Sequence, residues 1–322
     1  MNREQVVGVE VDKSMEFFGI YKEAYRITVS WNKTLSQITL AILLPLTILS
    51  LSEIPISNFI RKKTYFRDDD KTIWMVCSII NRFVYMVFVL GLSIFSTSSV
   101  AYVVACFYTT KDITFKKAIG VFPKVWGRLM ITFLWWFVVV LVYTTVVALL
   151  YFWFFISQNG FEVYIPRVKN LLVISFISVP FFAGLVYLIL VWSIGTVISV
   201  LEMDYGRKAL MKSMKLIWGK TVVSYGVFLV LGTVFAGLGS TFVLLMVYKK
   251  MTNVAGKVLI GIACYFLTIV LIHFTLVIQV VIYFVCKSYH NEDVANIGQH
   301  LEGSCAHSDR EKNDPLKPAS LV

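Results

Sequence analysis

Residues 206–220 read GRKALMKSMKLIWGK, a basic stretch set between two long apolar runs at 171–201 and 221–247. On a helical wheel Leu210, Met211, Met214, Ile217 and Trp218 share one face, and Lys208, Lys212 and Lys215 fall opposite. A helix patterned this way is expected to lie flat at a membrane surface. Its apolar side would enter the acyl boundary, and its lysines would meet anionic headgroups. That reading requires the flanking runs to cross a bilayer, and composition supports it. Of 322 residues, 58% are hydrophobic and 15% are charged, with a mean hydropathy of +0.75. Soluble domains carry about 25% charged residues. A chain this apolar is solvated by lipid.

A crossing needs about 20 predominantly apolar residues. Six stretches qualify: 34–52, 83–108, 129–156, 171–201, 221–247 and 258–286. They are continuous rather than alternating, which predicts helices and excludes the short dyad-patterned strands of a membrane barrel. Ile73–Ile80 precedes Asn81 and Arg82, so Arg82 is expected at the boundary of the second span, with 73–80 an interfacial turn. The first 33 residues contain no short apolar core of a cleavable signal peptide. The predicted organisation is a cytoplasmic segment at 1–33, a six-helix membrane domain at 34–286 and a largely disordered cytoplasmic tail at 287–322.

Six spans place both termini on one side. That side and its loops hold nineteen of the 30 Lys and Arg residues, against eleven in the opposite loops. The bias predicts that both termini are cytoplasmic. Either the plasma membrane or the endoplasmic reticulum and endomembranes fits. The net charge of +11 is spread over loops and surface segments, which suits anionic membrane lipid as the partner rather than nucleic acid. A homo-oligomer is compatible with the sequence.

The opening stretch has relatives inside the chain. Trp218-Gly219-Lys220 begins span five, Trp126-Gly127-Arg128 span three and Trp31-Asn32-Lys33 span one. A basic, aromatic-bearing segment precedes each; Lys116 and Lys117 supply bases in the second, opposite Phe115, Ile119 and Phe122. The expected fold is therefore all-α and polytopic. Its six transmembrane helices form three hairpin repeats, each preceded by a cytoplasmic amphipathic interfacial helix.

The run Glu202…Gly206…Ala209-Leu210…Ser213…Leu216…Gly219 resembles a signature of the membrane domain attached to some glycerophosphodiester phosphodiesterases. The chain from Phe17-Phe18-Gly19-Ile20 to His300-Leu301-Glu302-Gly303 resembles a plant family of uncharacterised multi-spanning proteins. The resemblance implies a six-helix domain with cytoplasmic surface helices and brings no catalytic residues. In the phosphodiesterases the chemistry sits in a separate soluble barrel.

Chemistry-bearing side chains within the spans are few. His273 and Gln279 lie in span six, and an ionisable group in lipid is a functional candidate because leaving it unpaired is costly. The hydroxyls at Ser93, Ser96, Thr97, Ser98 and Ser99, and the Gly232, Ala236 and Ser240 stripe, are expected to be packing seams; a polar pore lining is the sharper alternative. Cys77, Cys106, Cys264, Cys286 and Cys305 form neither a disulfide framework nor a zinc pattern. Cys286, beside Lys287, is a candidate for acylation. Asp68-Asp69-Asp70 is expected to be a solvated turn. No cofactor or metal is implied. The expected function is a non-enzymatic, lipid-organising or scaffold role exerted through the basic helices, with a transporter or channel for a small or lipid-like substrate as the alternative.

Overall fold

The computed structural model describes residues 16–30, 32–66, 71–108, 120, 122–159, 167–245 and 254–292. Every named element among them is helical: α1 (Phe17–Ser30), α2 (Asn32–Ile38), a π-turn (Thr39–Leu43), α3 (Leu44–Phe66), α4 (Lys71–Tyr108), α5 (Phe122–Asn159), α6 (Arg167–Leu201), α7 (Arg207–Ile217), α8 (Thr221–Val243) and α9 (Val254–Tyr289). Six segments are long and apolar enough to cross a bilayer: Leu35–Glu53, Val76–Tyr108, Val125–Phe154, Ser175–Leu201, Thr221–Val243 and Val258–Tyr289. The protein is a polytopic helical membrane protein.

The second span differs from expectation. Ile73–Ile80 is not a turn; α4 continues through it as one 38-residue helix of about 57 Å. That is well beyond the roughly 30 Å hydrocarbon core. Arg82 is exposed, 26 residues and about 39 Å before Tyr108, far enough along the helix for its guanidinium to snorkel. An isolated cation between two good helix-forming stretches does not end a helix when its head can leave the lipid.

The first span is also interrupted, for a visible reason. Pro45 has no N–H to continue the α-helical ladder. Just before it the backbone widens by one residue, and the Leu44 N–H bonds to the Thr39 carbonyl in π register.

Packing is concentrated toward one end of the bundle. Residues 96–106 of α4, nearly all of 190–201 of α6 and 276–287 of α9 are buried, together with the beginnings of α5 and α8. The remaining lengths carry outward apolar side chains, among them Leu149, Phe152 and Trp153 on α5 and Phe176 and Phe182 on α6. In water such a surface would aggregate; in lipid it is solvated, and association rests on close packing and hydrogen bonds. The hydroxyls at 96–99 of span two are buried in the packed end. Ser96 and Thr97 both donate to the Ser93 carbonyl and Ser98 to that of Phe95, which satisfies them within their own helix. The Gly232–Ala236–Ser240 stripe is not a seam within the chain: its residues are exposed, with nothing within 4 Å of the space beside Gly232.

α1 departs from a helix lying across the membrane surface. Ile20, Ala24 and Ile27 are fully buried, and the Tyr21 hydroxyl donates to the Val227 carbonyl at 3.3 Å near the start of α8. Thr28, at the other end, meets His273 of α9. Cys286 of α9 adjoins Ser224, so His273 lies 13 residues, about 20 Å, farther along the bundle. These contacts set α1 lengthwise against α9. An apolar stripe at helical spacing serves a bundle as well as a bilayer surface, and here the bundle takes it.

Candidate functional site

α7 packs against the end of α6 through a buried face of Ala209, Leu210, Ser213, Leu216 and Ile217. Leu210 approaches Gly195 so closely that a Cβ there would stand 3.1 Å from its Cδ2. The turn into α7 depends on Gly206, at φ +63°, whose N–H donates to Thr132 Oγ1 at 2.8 Å. Thr132 also pairs with Ser199 Oγ at 2.8 Å, tying α5, α6 and the turn together. The exit uses Gly219, at φ +102°, where a Cβ would meet the Tyr289 ring at 2.5 Å. Both positions hold a backbone geometry that glycine adopts without a Cβ penalty.

The apolar face expected of 206–220 is thus divided. Leu210 and Ile217 point into the protein, whereas Met211, Met214 and Trp218 point outward, Trp218 with 78% of its surface exposed. Lys208 and Lys215 are exposed beside that outward stripe. Three faces result: one docked, one apolar and open, one cationic.

Lys212 is used differently. Its Nζ donates to Glu202 Oε2 at 2.6 Å, while Glu202 Oε1 accepts from Tyr283 (2.6 Å) and from Lys287 Nζ (2.7 Å). Glu292 lies 3.7 Å from Lys212 and 3.8 Å from Lys287. The Glu202 side chain is 11% exposed and that of Lys287 only 6%. Burial pushes the Glu202 carboxyl up, but the hydrogen bonds from Lys212, Lys287 and Tyr283 outweigh it and hold the group below its ordinary range. For Lys212 burial favours the neutral form, and the bond to Glu202 more than reverses it, raising the amine above its ordinary value. The cluster is a fastener joining the end of α6, α7 and α9.

The other candidates are dispersed. Trp126 is half-buried and turned toward Gly91 of α4. Trp31, Lys116 and Lys117 lie outside the described residues, as do Asp68-Asp69-Asp70, Cys305 and the tail from 293. Gln279 is buried in α9, and its amide nitrogen has no hydrogen-bond partner. Among the described residues Cys77, Cys106, Cys264 and Cys286 form no disulfide with one another. Cys286 is fully buried against Ser224, so acylation there is excluded in the folded chain.

His273 sits 7% exposed between α1, the π-turn and α9. Its Nδ1 lies 3.0 Å from Thr39 Oγ1, and its Nε2 lies 3.5 Å from Thr28 Oγ1. It lines a cavity of about 390 Å³ whose other walls include Leu35, Leu44, Phe266 and Ile269. Among the described residues no group of three His, Cys, Asp or Glu side chains converges for a metal ion.

Comparison with known proteins places these features in a family. Residues 1–308 match the model of DUF8558, described as a domain of unknown function. The chain belongs to the DUF8558 family. No curated protein and no solved structure matches it.

In this DUF8558 chain Glu202 was the functional group that residue-by-residue reading missed as chemistry. Lys287 and Tyr283 stand more than eighty positions away, so the spacing of charges offers no hint of the cluster. The one available signal was the Glu202…Gly206…Gly219 spacing. Each residue of that run has a structural task here: an ion cluster, two glycine turns and the docked face of α7.

Proposed function

We propose that the chain is a non-catalytic membrane protein that engages anionic lipid through α7 and organises it at the cytoplasmic leaflet, with both termini on that side. The observation that carries this reading is the outward edge of α7. Three unpartnered apolar side chains, Met211, Met214 and Trp218, run beside two exposed cations, Lys208 and Lys215. The opposite face is fixed to the bundle. An interfacial helix needs this pairing, apolar surface for the acyl boundary and positive charge for the headgroups.

The division of labour among the lysines sharpens the expectation. Lys208 and Lys215 remain available for lipid, whereas Lys212 is engaged by Glu202. α1, which likewise precedes a Trp in the sequence and buries one face through Ile20, Ala24 and Ile27, supports kinship between the first and third of the three units. The resemblance to phosphodiesterase membrane domains agrees with a membrane module in which the Glu202…Gly206…Gly219 run is architectural. The transporter reading gains no comparable support, since Ser96, Thr97 and Ser98 of span two are bonded to their own helix.

The test is titration of the purified chain with phosphatidylserine in neutral micelles. Each lysine near an anionic surface contributes about 1 kcal/mol, so Lys208→Gln with Lys215→Gln is expected to weaken retention by up to about 30-fold. Lys212→Gln is expected to leave lipid affinity nearly unchanged and to lower thermal stability instead. Equal lipid affinity in the double variant and the parent would refute the proposal.

A further inference from the structure

The cavity beside His273 has the form of a binding site for an amphiphile. Thr39 Oγ1 donates its proton to the Leu35 carbonyl at 2.8 Å, so toward the imidazole it can only accept. Nδ1 of His273, 3.0 Å away, is therefore the protonated nitrogen, an assignment made from the network. In a neutral ring Nε2 is then an acceptor. Thr28 Oγ1, which reaches toward it, already donates its one proton to the Ala24 carbonyl at 2.9 Å and stands 3.5 Å off, beyond a normal O–H···N bond. Among the described residues, a nine-tenths-buried acceptor is thus left with only this long contact.

The rest of the chamber is graded. Ser30 and Arg26 are exposed near the His273 end, at the break between α1 and α2, while the walls continue through Leu44 and Phe266. The mouth is open on the side that faces lipid, with Leu40 70% and Phe266 64% exposed. About 390 Å³ falls within the 300–1,000 Å³ usual for pockets that seat small molecules. Among the described residues the lining holds no Asp, Glu, Lys or Arg to compensate a charged head. The π-turn creates the arrangement: it shifts register between Thr39 and Leu44, and both ends of it line the chamber.

We propose that this chamber binds an uncharged lipid bearing a free hydroxyl, which donates to His273 Nε2 while its hydrocarbon lies against α3 and α9. A sterol and a diacylglycerol both carry this chemistry. The proposal does not depend on anionic lipid at α7.

The experiment uses the full chain in nanodiscs, photolabelled with a photoreactive sterol and, separately, a photoreactive diacylglycerol. Unlabelled lipid and its O-methyl ether serve as competitors. Saturable labelling of α2 or α9 peptides is expected for at least one probe, and the free alcohol should compete about tenfold better than the ether, which keeps the oxygen but has no proton to give. The stronger probe identifies the source. His273→Leu should abolish the preference for the alcohol and His273→Gln, which retains an acceptor, should preserve part of it. Val270→Trp, which fills the chamber and leaves the histidine, should abolish labelling. Equal competition by alcohol and ether in the unaltered chain overturns the proposal without reference to any variant. Labelling that survives Val270→Trp, or stronger competition by phosphatidic acid, also overturns it.

Discussion

Glu202 is the residue on which the end of the bundle is most sensitive to change. It carries one negative charge against two lysines, and Lys287 has almost no contact with solvent. Removing the charge leaves the buried Lys287 only the half-exposed Glu292 carboxylate, 3.8 Å away, a loss of up to about 3–5 kcal/mol, while loss of the more exposed Lys212 costs about 1 kcal/mol or less. Glu202→Gln should therefore unfold at markedly lower denaturant than Lys212→Gln, measured by SDS titration of the chain in mixed micelles. Equal midpoints would remove the cluster from the account. The pH dependence has a defined sign. The Glu202 carboxyl is depressed in the folded chain, so its contribution is complete above its ordinary value of 4.5 and is lost as pH falls through the lowered one. The Lys212 amine is raised, so its contribution is complete below 10.5 and is lost as pH rises through the higher value. A stability plateau between those limits, eroding on the acid side in the parent but not in Glu202→Gln, is the expected profile.

At the scale of elements, the decisive feature is how α7 is seated. Gly206 occupies a backbone region costly for other residues, and a Cβ there would crowd Ile131 and Trp135 at 3.0 and 3.2 Å. Gly206→Ala is expected to loosen α7 by about 1–3 kcal/mol, seen as exchange of the 210–217 amides roughly five- to 150-fold faster while the 276–287 amides keep their protection. Unchanged exchange in α7 would show that the turn does not control docking. The comparison between sequence and structure is clearest at this scale. The spans were legible because about 20 apolar residues in a row have few other uses, and five of the six agree within a few residues. The amphipathic pattern of 206–220 was legible as a pattern, but periodicity cannot say whether an apolar side chain faces lipid or protein. Leu210 and Met211 look alike in sequence and point to different solvents. The same ambiguity hid the lengthwise packing of α1. His273 stood out as an ionisable group in a span, yet its neighbours, Thr28 and Thr39, lie more than 230 positions away and one of them is set by a π-turn. Distant partners and a local register shift leave no signature in a single chain.

Across the whole molecule, a tightly packed end carries α1, α7 and the Glu202 cluster, and the opposite lengths present apolar side chains outward. The ion cluster and the docked surface helix gather at the packed end, while interhelical hydrogen bonds such as Tyr143 to the Phe181 carbonyl and Tyr151 with Ser178 hold α5 to α6 farther along. The central claim is that the packed end faces anionic headgroups with the Met211–Met214–Trp218 edge in the acyl boundary. Power-saturation EPR on the reconstituted chain, with single spin labels at Lys208→Cys, Met211→Cys, Met214→Cys and Lys215→Cys in a background cleared of native cysteines, measures this directly. The account predicts that labels at 211 and 214 are relaxed chiefly by oxygen, and those at 208 and 215 chiefly by an aqueous nickel chelate. Four labels with the same aqueous accessibility would contradict it.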